Sequence, residues 1–210
     1  MARAIGPKCR VCRRVGVKLF LKGTRCDTAK CPMEKEARPP GQHGAKRVRM
    51  TDFGIHFREV QRAKKMYGVL QRQFARYYRE AERQPGNTGD HLVQGLERRL
   101  DNVVYRLRFG LSRDHARQLI LHGHFRVNGK KVTIPSSLVE AGDIIEPAKR
   151  EKSKKLISDA LALRRATLEA PSWLKVTEEP NLQGLVVQLP TVRELQVPLE
   201  SQLIVEYMSR

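Results

Sequence analysis

Residues 109–134 read FGLSRDHARQLILHGHFRVNGKKVTI, and this stretch decides the fold of the middle of the chain. Ser112 is a residue type that helices favour at the N-cap, and Gly123 is typical of a helix end. The dipeptide Asn128-Gly129 is the strongest short signal for a type I′ turn, and the residues on both sides of it alternate between apolar and polar. The sequence therefore predicts a short helix followed by a β-hairpin.

The predicted helix, residues 113–122, has an apolar side and a basic side. Arg113 and Arg117 lie one turn apart near its N-terminus, where the backbone amides also favour a phosphate group. We therefore expect the helix to present both arginines to a phosphate-bearing partner. The apolar side consists of Ala116, Leu119 and Ile120.

Three helices are predicted before this module. The first extends from the N-cap candidate Thr51 to Gly68, and the third covers residues 90–108 and would be followed by a C-cap at Gly110. The second places four arginines along the side opposite its apolar stripe, where they repel one another unless an anion lies along them, although such charge runs are usually solvated faces. These arginines are Arg72, Arg76, Arg79 and Arg83. The apolar face of the first helix includes Phe53, Phe57, Val60 and Tyr67.

All four cysteines of the chain lie within the first 31 residues, in the spacing C-x2-C-x13-C-x4-C. This spacing suits four thiolate ligands around a tetrahedral Zn²⁺ ion with no open position. A closed site binds no substrate, so we expect one structural zinc ion that shapes a basic segment. The ligands would be Cys9, Cys12, Cys26 and Cys31, and the basic residues beside the first pair are Arg10, Arg13 and Arg14.

Other chemistries of these cysteines stay open at this point. An iron–sulfur cluster also takes four thiolates, and free thiols need no ligand. Disulfides require an oxidising compartment. Residues 1–7 lack the apolar segment of a secretion signal, so we expect no such signal. A redox C-x-x-C pair would begin a helix after a buried strand, and the stretch before Cys9 is too short and too polar for that strand. The spacing favours zinc.

The balance of charges points to a polyanionic partner. Among 210 residues, 41 lysines and arginines face 22 aspartates and glutamates, which gives a net charge of +19. Nucleic acid is the default partner of such a protein and an anionic membrane surface the second candidate, while no apolar run is long enough to span a membrane. Residues 1–50 contain 14 basic and 3 acidic side chains, and residues 151–210 contain 8 of each. We therefore expect the last sixty residues to pack rather than to bind.

Two flanking regions complete the predicted organisation. Residues 38–44, RPPGQHG, contain two prolines and two glycines and predict a fixed loop, in which His43 would contact a phosphate or the backbone. Trp173 has apolar and acidic neighbours and is expected in the core. The C-terminal region predicts a helix over 152–165, strands over 141–146, 173–177 and 185–189, and a helix or strand over 199–207.

These motifs together resemble bacterial small-subunit ribosomal protein four. The resemblance rests on LERRLDNVVYRL at 96–107, on the SR, ARQL, HGH and VNGKKV motifs of the module quoted first, and on Gly142-Asp143. It extends to the cysteine spacing, the PPGQHG loop and the ending LIVEYMSR. The RNA-binding motif alone also occurs in pseudouridine synthases and tyrosyl-tRNA synthetases, but the full set is specific. The chain is identified as a member of this family in its four-cysteine, zinc-binding form.

The resemblance implies an α+β fold that is predominantly helical. A zinc knuckle with a basic N-terminal arm would cover residues 1–45, and a helical domain would cover residues 46–92, with residues 190–210 packing back on it. The RNA-binding domain, of the ribosomal-protein-four type, would cover residues 93–189. Within it, the RNA contacts that the resemblance implies are Ser112, Arg113, Arg117, Asn128, Lys130 and Lys131.

The function that the resemblance implies is that of a structural constituent of the small ribosomal subunit. The family binds small-subunit ribosomal RNA directly, at a junction of several helices in the 5′ domain, and thereby nucleates assembly and contributes to translational accuracy. The implied partners are this RNA and small-subunit ribosomal proteins three and five, and the implied location is the cytoplasmic ribosome. No membrane and no small-molecule substrate are expected.

Two other functions compete with this interpretation. An RNA-modifying enzyme could use the same module for docking, but the acidic residues after position 150 form no paired constellation and no glycine-rich phosphate loop is present. We therefore expect no catalytic residues. A regulator that binds its own messenger or the transcription machinery is the alternative that the sequence leaves open.

Overall fold

The structure is a computed structural model that describes residues 6–35, 37–44, 46, 49–164, 170–178, 181–191 and 198–209. Contacts divide the chain into a first unit, residues 1–93 with 197–210, and a second unit, residues 94–196. The predicted N-terminal arm is thus part of the first unit. The helices in chain order are α1 (Lys8–Val15), α2 (Pro32–Lys35), α3 (Asp52–Tyr67), α4 (Gln71–Glu82), α5 (Thr88–Glu97), α6 (Leu100–Arg106), α7 (Arg113–Leu121), α8 (Glu151–Arg164) and α9 (Ser201–Met208), and a 3-10 helix covers Gly23–Asp27. The strands are β1 (Phe125–Val127), β2 (Lys130–Lys131), β3 (Ile144–Pro147), β4 (Leu174–Thr177) and β5 (Gln183–Val186).

Helix α3 begins and ends at the predicted residues. The hydroxyl of Thr51 accepts a hydrogen bond from the Gly54 N–H at 3.2 Å, and Gly68 ends the helix with a left-handed φ of 64°. The predicted apolar face is only partly buried, however. Phe53 and Phe57, in the N-terminal half of α3, are 54% and 41% exposed. The buried residues of the helix all lie in its C-terminal half, and they are Glu59, Val60, Ala63, Met66 and Tyr67.

Helix α9 packs on α3, and residues 201–207 of the ambiguous stretch 199–207 are helical, whereas residues 199 and 200 precede the helix. The buried carboxylate of Glu59 accepts a hydrogen bond from the Glu200 N–H at 2.9 Å and pairs with Arg62. At the other end of α9, the Glu206 carboxylate contacts the Nε2 atom of His56 at 2.6 Å. Residues 192–197 of the predicted packing segment lie outside the described residues.

The single helix predicted over residues 90–108 is wrong, because two helices, α5 and α6, occupy this region. Arg99 between them is extended, with φ −63° and ψ 135°. The N–H groups of Leu100 and Asp101 donate to the carbonyls of Ser137 (2.8 Å) and Pro135 (3.1 Å). These distant carbonyls satisfy the amides that a new helix start leaves unpaired, so tertiary contacts stabilise the break.

The end of α6 also differs from the prediction. The helix is capped by Leu107, and the left-handed residue after it is Arg108, with φ 68°, rather than the expected Gly110. Gly110 instead gives room to the next helix, because a Cβ atom there would lie 2.9 Å from the Cβ of Ala116. The glycine therefore serves a close helix approach and not a cap.

An antiparallel sheet lies in the second unit, and its strands within the described residues have the order β2-β1-β3-β5-β4. The predicted hairpin is confirmed: Asn128 and Gly129 have φ values of 49° and 74°, as a type I′ turn requires. Strand β3 begins three residues after its predicted start at residue 141, and β5 begins two residues before its predicted start at residue 185. Helix α8 matches its prediction, with Arg165 outside the described residues.

The core of the second unit brings the helices and the sheet together. Phe109, after α6, stacks with Phe125 of β1 at a centroid distance of 6.2 Å, and both rings are fully buried. Leu107 packs directly on the backbone of Gly184 in β5, where no side chain stands in its way. Trp173, as predicted, is fully buried.

Candidate nucleic-acid interface

A buried carboxylate joins helices α6 and α7. The two oxygens of Asp101, at the start of α6, accept hydrogen bonds from Nε (3.0 Å) and Nη2 (2.7 Å) of Arg99. One of these oxygens also pairs with Nη1 of Arg117, on α7, at 3.0 Å. Arg99 is fully buried, and Asp101 and Arg117 are only 4% and 6% exposed. One carboxylate thus pairs with two desolvated cations and fixes α7 against α6.

A second buried carboxylate extends this network. Glu97 pairs with Arg106 at 2.9 Å and accepts a hydrogen bond from the Asn102 amide at 2.6 Å. The carbonyl oxygen of the same Asn102 side chain accepts from Nε of Arg113 at 2.8 Å. The Arg113 guanidinium also lies 4.6 Å from the ring centre of Tyr105, a cation–π distance. We call the side chains of Glu97, Arg99, Asp101, Asn102, Arg106, Arg113 and Arg117 the polar core.

The expectation that α7 presents Arg113 and Arg117 to solvent is wrong. Both side chains are more than nine-tenths buried, because the acidic and amide groups of α6 and its flanks draw them inward. Ser112 is buried as well, and its hydroxyl caps α7 by accepting from the His115 N–H at 3.2 Å. The geometry shows that these three residues position the helices, and their contact with RNA stays a prediction.

The hairpin turn presents its lysines as expected. Lys130 and Lys131 are both exposed. Asn128 is held in place because its amide nitrogen donates to Asp143 at 2.7 Å and its oxygen accepts from the Ile144 N–H at 2.9 Å. The role of Asn128 in the structure is therefore to hold the turn against β3, with the two lysines beyond it.

Helix α4 separates its apolar and basic residues clearly. Phe74, Tyr78 and Ala81 are buried, whereas the four arginines of the predicted stripe lie on the exposed side. The Arg76 side chain pairs with Glu80 at 2.9 Å, one turn along the helix. The arginine stripe is defined by Arg72, Arg76, Arg79 and Arg83 and lies in the first unit.

The N-terminal arm contributes further exposed cations. Arg10 and Arg14 are exposed on α1, and Arg13 is half-buried, with its Nε donating to the carbonyl of Arg38 at 2.8 Å. This bond ties α1 to the predicted proline-glycine loop, whose described residues 37–44 form turns and no helix. His43 is exposed in that loop, and its contact with a phosphate stays a prediction.

The four cysteines line a single small cavity of about 10 Å³. Cys9 and Cys12 come from α1, Cys26 from the 3-10 helix and Cys31 from the residue before α2. Cys12, Cys26 and Cys31 are buried and Cys9 is half-buried. Within the described part of the chain, no group of histidine, cysteine or acidic side chains has the arrangement of a formed metal site. The fold therefore gathers the four sulfurs around one cavity.

Backbone groups and burial act on the cysteine thiols in opposite directions. Burial raises the pKa of Cys12, a hydrogen bond from the Leu19 backbone lowers it, and the other cysteines raise it again. Burial likewise raises the pKa of Cys26, whose sulfur accepts from the Lys22 N–H at 3.3 Å. N–H donors directed at sulfur are typical of the groups that surround and orient thiolate ligands.

One group of exposed cations was missed by the sequence reasoning. Lys149, Arg150, Lys152, Lys154 and Lys155 surround the start of α8 and are exposed. Dividing the charge count at residue 150 split this run and hid it within a neutral C-terminal block. A sliding window over residues 149–155 would have found it.

The described helices include none that is both long and apolar enough to cross a membrane.

Two helices joined by a buried ionic core, followed by a hairpin with exposed lysines, define a nucleic-acid-binding module rather than a catalytic one. Comparisons with known proteins agree with this class. Residues 3–97 match the model of the ribosomal protein S4/S9 N-terminal domain, and residues 98–145 match the S4 domain.

Full-length relatives show the family. The chain is 51% identical to small ribosomal subunit protein uS4A of Symbiobacterium thermophilum, 50% identical to protein uS4 of Thermodesulfovibrio yellowstonii and 49% identical to protein uS4 of a Thermoanaerobacter species. Each match covers 100% of both chains. The chain belongs to the uS4 family of small ribosomal subunit proteins.

Family membership confirms several expectations from the sequence. The family consists of structural ribosomal proteins, so the chain is a structural constituent of the ribosome and not an enzyme. Its expected location, the cytoplasmic ribosome, follows from the same relatives. The matched domain models also confirm the helical N-terminal region and the RNA-binding module.

Replacing the central carboxylate tests the polar core. We expect Asp101→Asn to lower the free energy of unfolding by about 3–5 kcal/mol, because the buried Arg99 and Arg117 would both lose the negative charge that Asp101 supplies. Urea unfolding followed by circular dichroism measures this loss. Asp159→Asn, at an exposed position of α8, is the matched control and should change stability little. Equal stabilities of the two variants would contradict a central role for Asp101.

Acidification should act on stability through His115. Burial lowers the pKa of His115, whose Nδ1 accepts a hydrogen bond from the Leu111 N–H at 3.2 Å. As pH falls, His115 is therefore protonated in the unfolded chain at a higher pH than in the folded chain. The contribution of neutral His115 to stability is present above its unfolded pKa of about 6.5 and is lost as pH falls below that value. We expect stability to decline less between pH 7.5 and 5.5 in His115→Asn, which keeps the acceptor. Unfolding curves at both values measure this difference, and parallel losses would exclude His115.

Proposed function

We propose that the chain is a primary binder of small-subunit ribosomal RNA that recognises a multi-helix junction of the 5′ domain, nucleates subunit assembly and contributes to translational accuracy. The relatives are named as small ribosomal subunit proteins, and the match over the full length supports the same assembly here. The observation that carries the proposal is the arginine stripe of α4. Four exposed arginines follow one another along a helix whose other side is buried.

The energetics of the stripe favour an RNA partner. Glu80 pairs with Arg76, whereas Arg72, Arg79 and Arg83 have no ion pair within the described residues. Their like charges repel one another in the free protein, and phosphates along the helix would relieve that repulsion and release counterions. Folded RNA is recognised mainly by shape, through phosphates and 2′-hydroxyls, which suits a rigid helix face.

Salt dependence of binding tests the stripe. We expect Arg72→Gln with Arg79→Gln to reduce the slope of log affinity against log salt by about 1.4–1.8, since each lost phosphate contact accounts for about 0.7–0.9. Filter binding to a 5′-domain RNA fragment provides the measurement. Arg72→Lys with Arg79→Lys keeps both charges and is the matched control. An unchanged slope in the glutamine variant would remove the stripe from the interface.

The same RNA experiments separate the main function from its alternative. Crosslinking in cells should recover ribosomal RNA as the dominant species bound to the chain. Recovery of scattered messengers, including the messenger for the chain itself, would instead favour the regulator. Failure to bind the 5′-domain fragment at any salt concentration would overturn the proposed function.

We also propose that Cys9, Cys12, Cys26 and Cys31 hold one structural Zn²⁺ ion. The support is that all four sulfurs line one cavity whose volume, about 10 Å³, is close to that needed by a single water molecule. A single ion suits this space, whereas a four-iron cluster would require the segment to open. The ion would fix α1 to the 3-10 helix, and thereby hold the basic arm in shape.

Metal analysis tests the zinc proposal. The purified chain should contain one zinc per molecule, and Cys26→Ser should lose it, because a neutral hydroxyl is a much poorer ligand than a thiolate. We expect limited proteolysis to cut residues 8–35 faster in that variant. Thr28→Ser, two residues away, is a control that keeps all ligands. Detection of iron with acid-labile sulfide would show an iron–sulfur cluster and contradict the zinc proposal. A metal-free protein whose protease resistance equals that of the Cys26→Ser variant would contradict both the zinc ion and the cluster.

We propose that ribosomal proteins three and five are neighbours of the chain, and that an aromatic patch in the first unit contacts one of them. Phe53, Phe57 and Tyr207 pack together with centroid distances of 5.5–6.2 Å. Phe53 and Phe57 are nevertheless 54% and 41% exposed. Aromatic residues are enriched at protein interfaces relative to the rest of the surface, and exposed apolar patches often mark such interfaces.

Substitution of the patch tests this contact. Phe53→Ser with Phe57→Ser should weaken association with purified protein three or five by tenfold or more, because aromatic anchors account for much of an interface's affinity. RNA affinity should stay unchanged, since the patch carries no cation. Leu163→Ser, which removes an exposed apolar side chain of the second unit, is the control. Unaltered association with both proteins would exclude the patch.

A further inference from the structure

The tip of the β1–β2 hairpin contains a dipeptide that can modify itself chemically. Asn128-Gly129 is the only place in the sequence where glycine follows asparagine, and both residues are exposed. Such a pair is prone to deamidation, because glycine has no side chain to shield its backbone nitrogen from the preceding carboxamide. We propose that Asn128 is a self-modification site, at which contacts with residues 143 and 144 hold the reaction back as long as the turn is closed.

The reaction requires water as its only co-reactant. The backbone nitrogen of Gly129 attacks the Cγ atom of Asn128, so a new C–N bond forms and the bond from Cγ to Nδ2 breaks. Ammonia leaves and takes up the proton of the Gly129 N–H, and a five-membered succinimide ring remains. Water then opens the ring at one of its two carbonyl groups, which yields aspartate or isoaspartate. Either product carries a carboxylate where the unmodified chain has a neutral amide.

The carboxamide of Asn128 has a partner at both of its polar atoms. Its nitrogen donates to the carboxylate of Asp143 at 2.7 Å, and its oxygen accepts from the Ile144 N–H at 2.9 Å. The backbone N–H of Asn128 also donates to the Ile144 carbonyl at 2.9 Å. Asn128 thus continues the ladder between β1 and β3 beyond the last residue of β1, and its carboxamide is directed toward β3.

The backbone of the turn is held as well. Asn128 and Gly129 have left-handed φ values of 49° and 74°, and the Arg126 guanidinium donates to the Gly129 carbonyl. Ring closure joins the carboxamide to the Gly129 nitrogen, so the carboxamide must leave Asp143 and Ile144 and rotate toward the turn itself. Deamidation therefore proceeds from an opened turn, and its rate reports how often the turn opens.

The product of the reaction does not fit the closed turn. A carboxylate in place of the Asn128 amide would face the Asp143 carboxylate at hydrogen-bond distance, where two like charges repel each other. The other Asp143 oxygen accepts from the Glu140 N–H at 2.8 Å, which holds this side chain in place. Because ammonia is lost, the change does not reverse. One opening event is thus converted into a lasting separation of the turn from β3.

Timed incubation of the purified full chain tests the site. Modification is measured by peptide mass spectrometry and by labelling with an isoaspartyl methyltransferase. In urea, Asn128 should deamidate much faster than Asn181, which is followed by Leu182, whose side chain shields the backbone nitrogen. In the folded chain, we expect Asn128 to react about tenfold more slowly than in urea, or slower still. Equal rates in the two conditions, or no modification of Asn128 in urea, would overturn the proposal.

Removal of the Asp143 contact tests the protection. We expect Asp143→Ala to raise the deamidation rate of the folded chain by about tenfold, because the closed turn loses a charge-assisted hydrogen bond. Asp159→Ala, at an exposed position of α8, is the matched control and should leave the rate unchanged. The same rate in Asp143→Ala as in the wild type would overturn the protective role of this contact.

An exchange of donor and acceptor provides a test that does not depend on reaction rates. Asn128→Asp reproduces the aspartate product and should lower the urea midpoint of unfolding. Adding Asp143→Asn should restore most of that loss, because the new amide can donate to the new carboxylate and its oxygen can still accept from the Glu140 N–H. An Asn128→Asp variant as stable as the wild type, or a double variant no more stable than the single one, would contradict the like-charge contact.

Discussion

The carboxylate of Asp101 binds two buried guanidinium groups, and the arrangement of the RNA-binding module depends on it. Arg99 precedes α6, and Arg117 belongs to α7, so one side chain fixes both the start of one helix and the position of the next. Desolvated cations are unfavourable unless an anion and hydrogen bonds compensate them. The carboxylate meets that condition for both, and the hairpin that follows α7 is positioned as a consequence.

The molecule therefore uses its arginines in two separate ways. Arg99, Arg113 and Arg117 lie in the polar core, where each has a partner and each holds elements together. The arginine stripe of α4 and the lysines of the hairpin turn lie at the surface, where charge can meet phosphate. A count of net charge combines the two groups, although only the second is exposed at the surface.

The basic arm shows the same division on a smaller scale. Its cysteines line one small cavity, while the cations beside them, Arg25 and Lys30, are exposed on the outside. Alternation of buried sulfur and exposed cation along a short segment makes the two surfaces mutually dependent. A segment of this size has too few apolar residues for a core of its own, so the zinc ion that we propose would supply stability there.

The helix caps, the type I′ turn and the apolar stripes were all readable from neighbouring residues. Thr51, Ser112 and Asn128 act within three residues or through their own backbone, so local chemistry decided them. The exposure of the α4 arginines was equally predictable, because helical periodicity alone separates them from Phe74 and Tyr78. The motifs of the whole chain likewise indicated the family without any coordinates.

The break at Arg99 and the burial of Arg113 and Arg117 were not readable in this way. Each depends on groups far apart in the chain: the carbonyls of Pro135 and Ser137 start α6, and Asp101 draws Arg117 inward. The sequence by itself determined the local elements, the basic character and the family of this protein. Only the tertiary structure decided which cations lie at the surface and which hold the fold, because a cation's role follows from the position of its anionic partner, and that partner comes from another element.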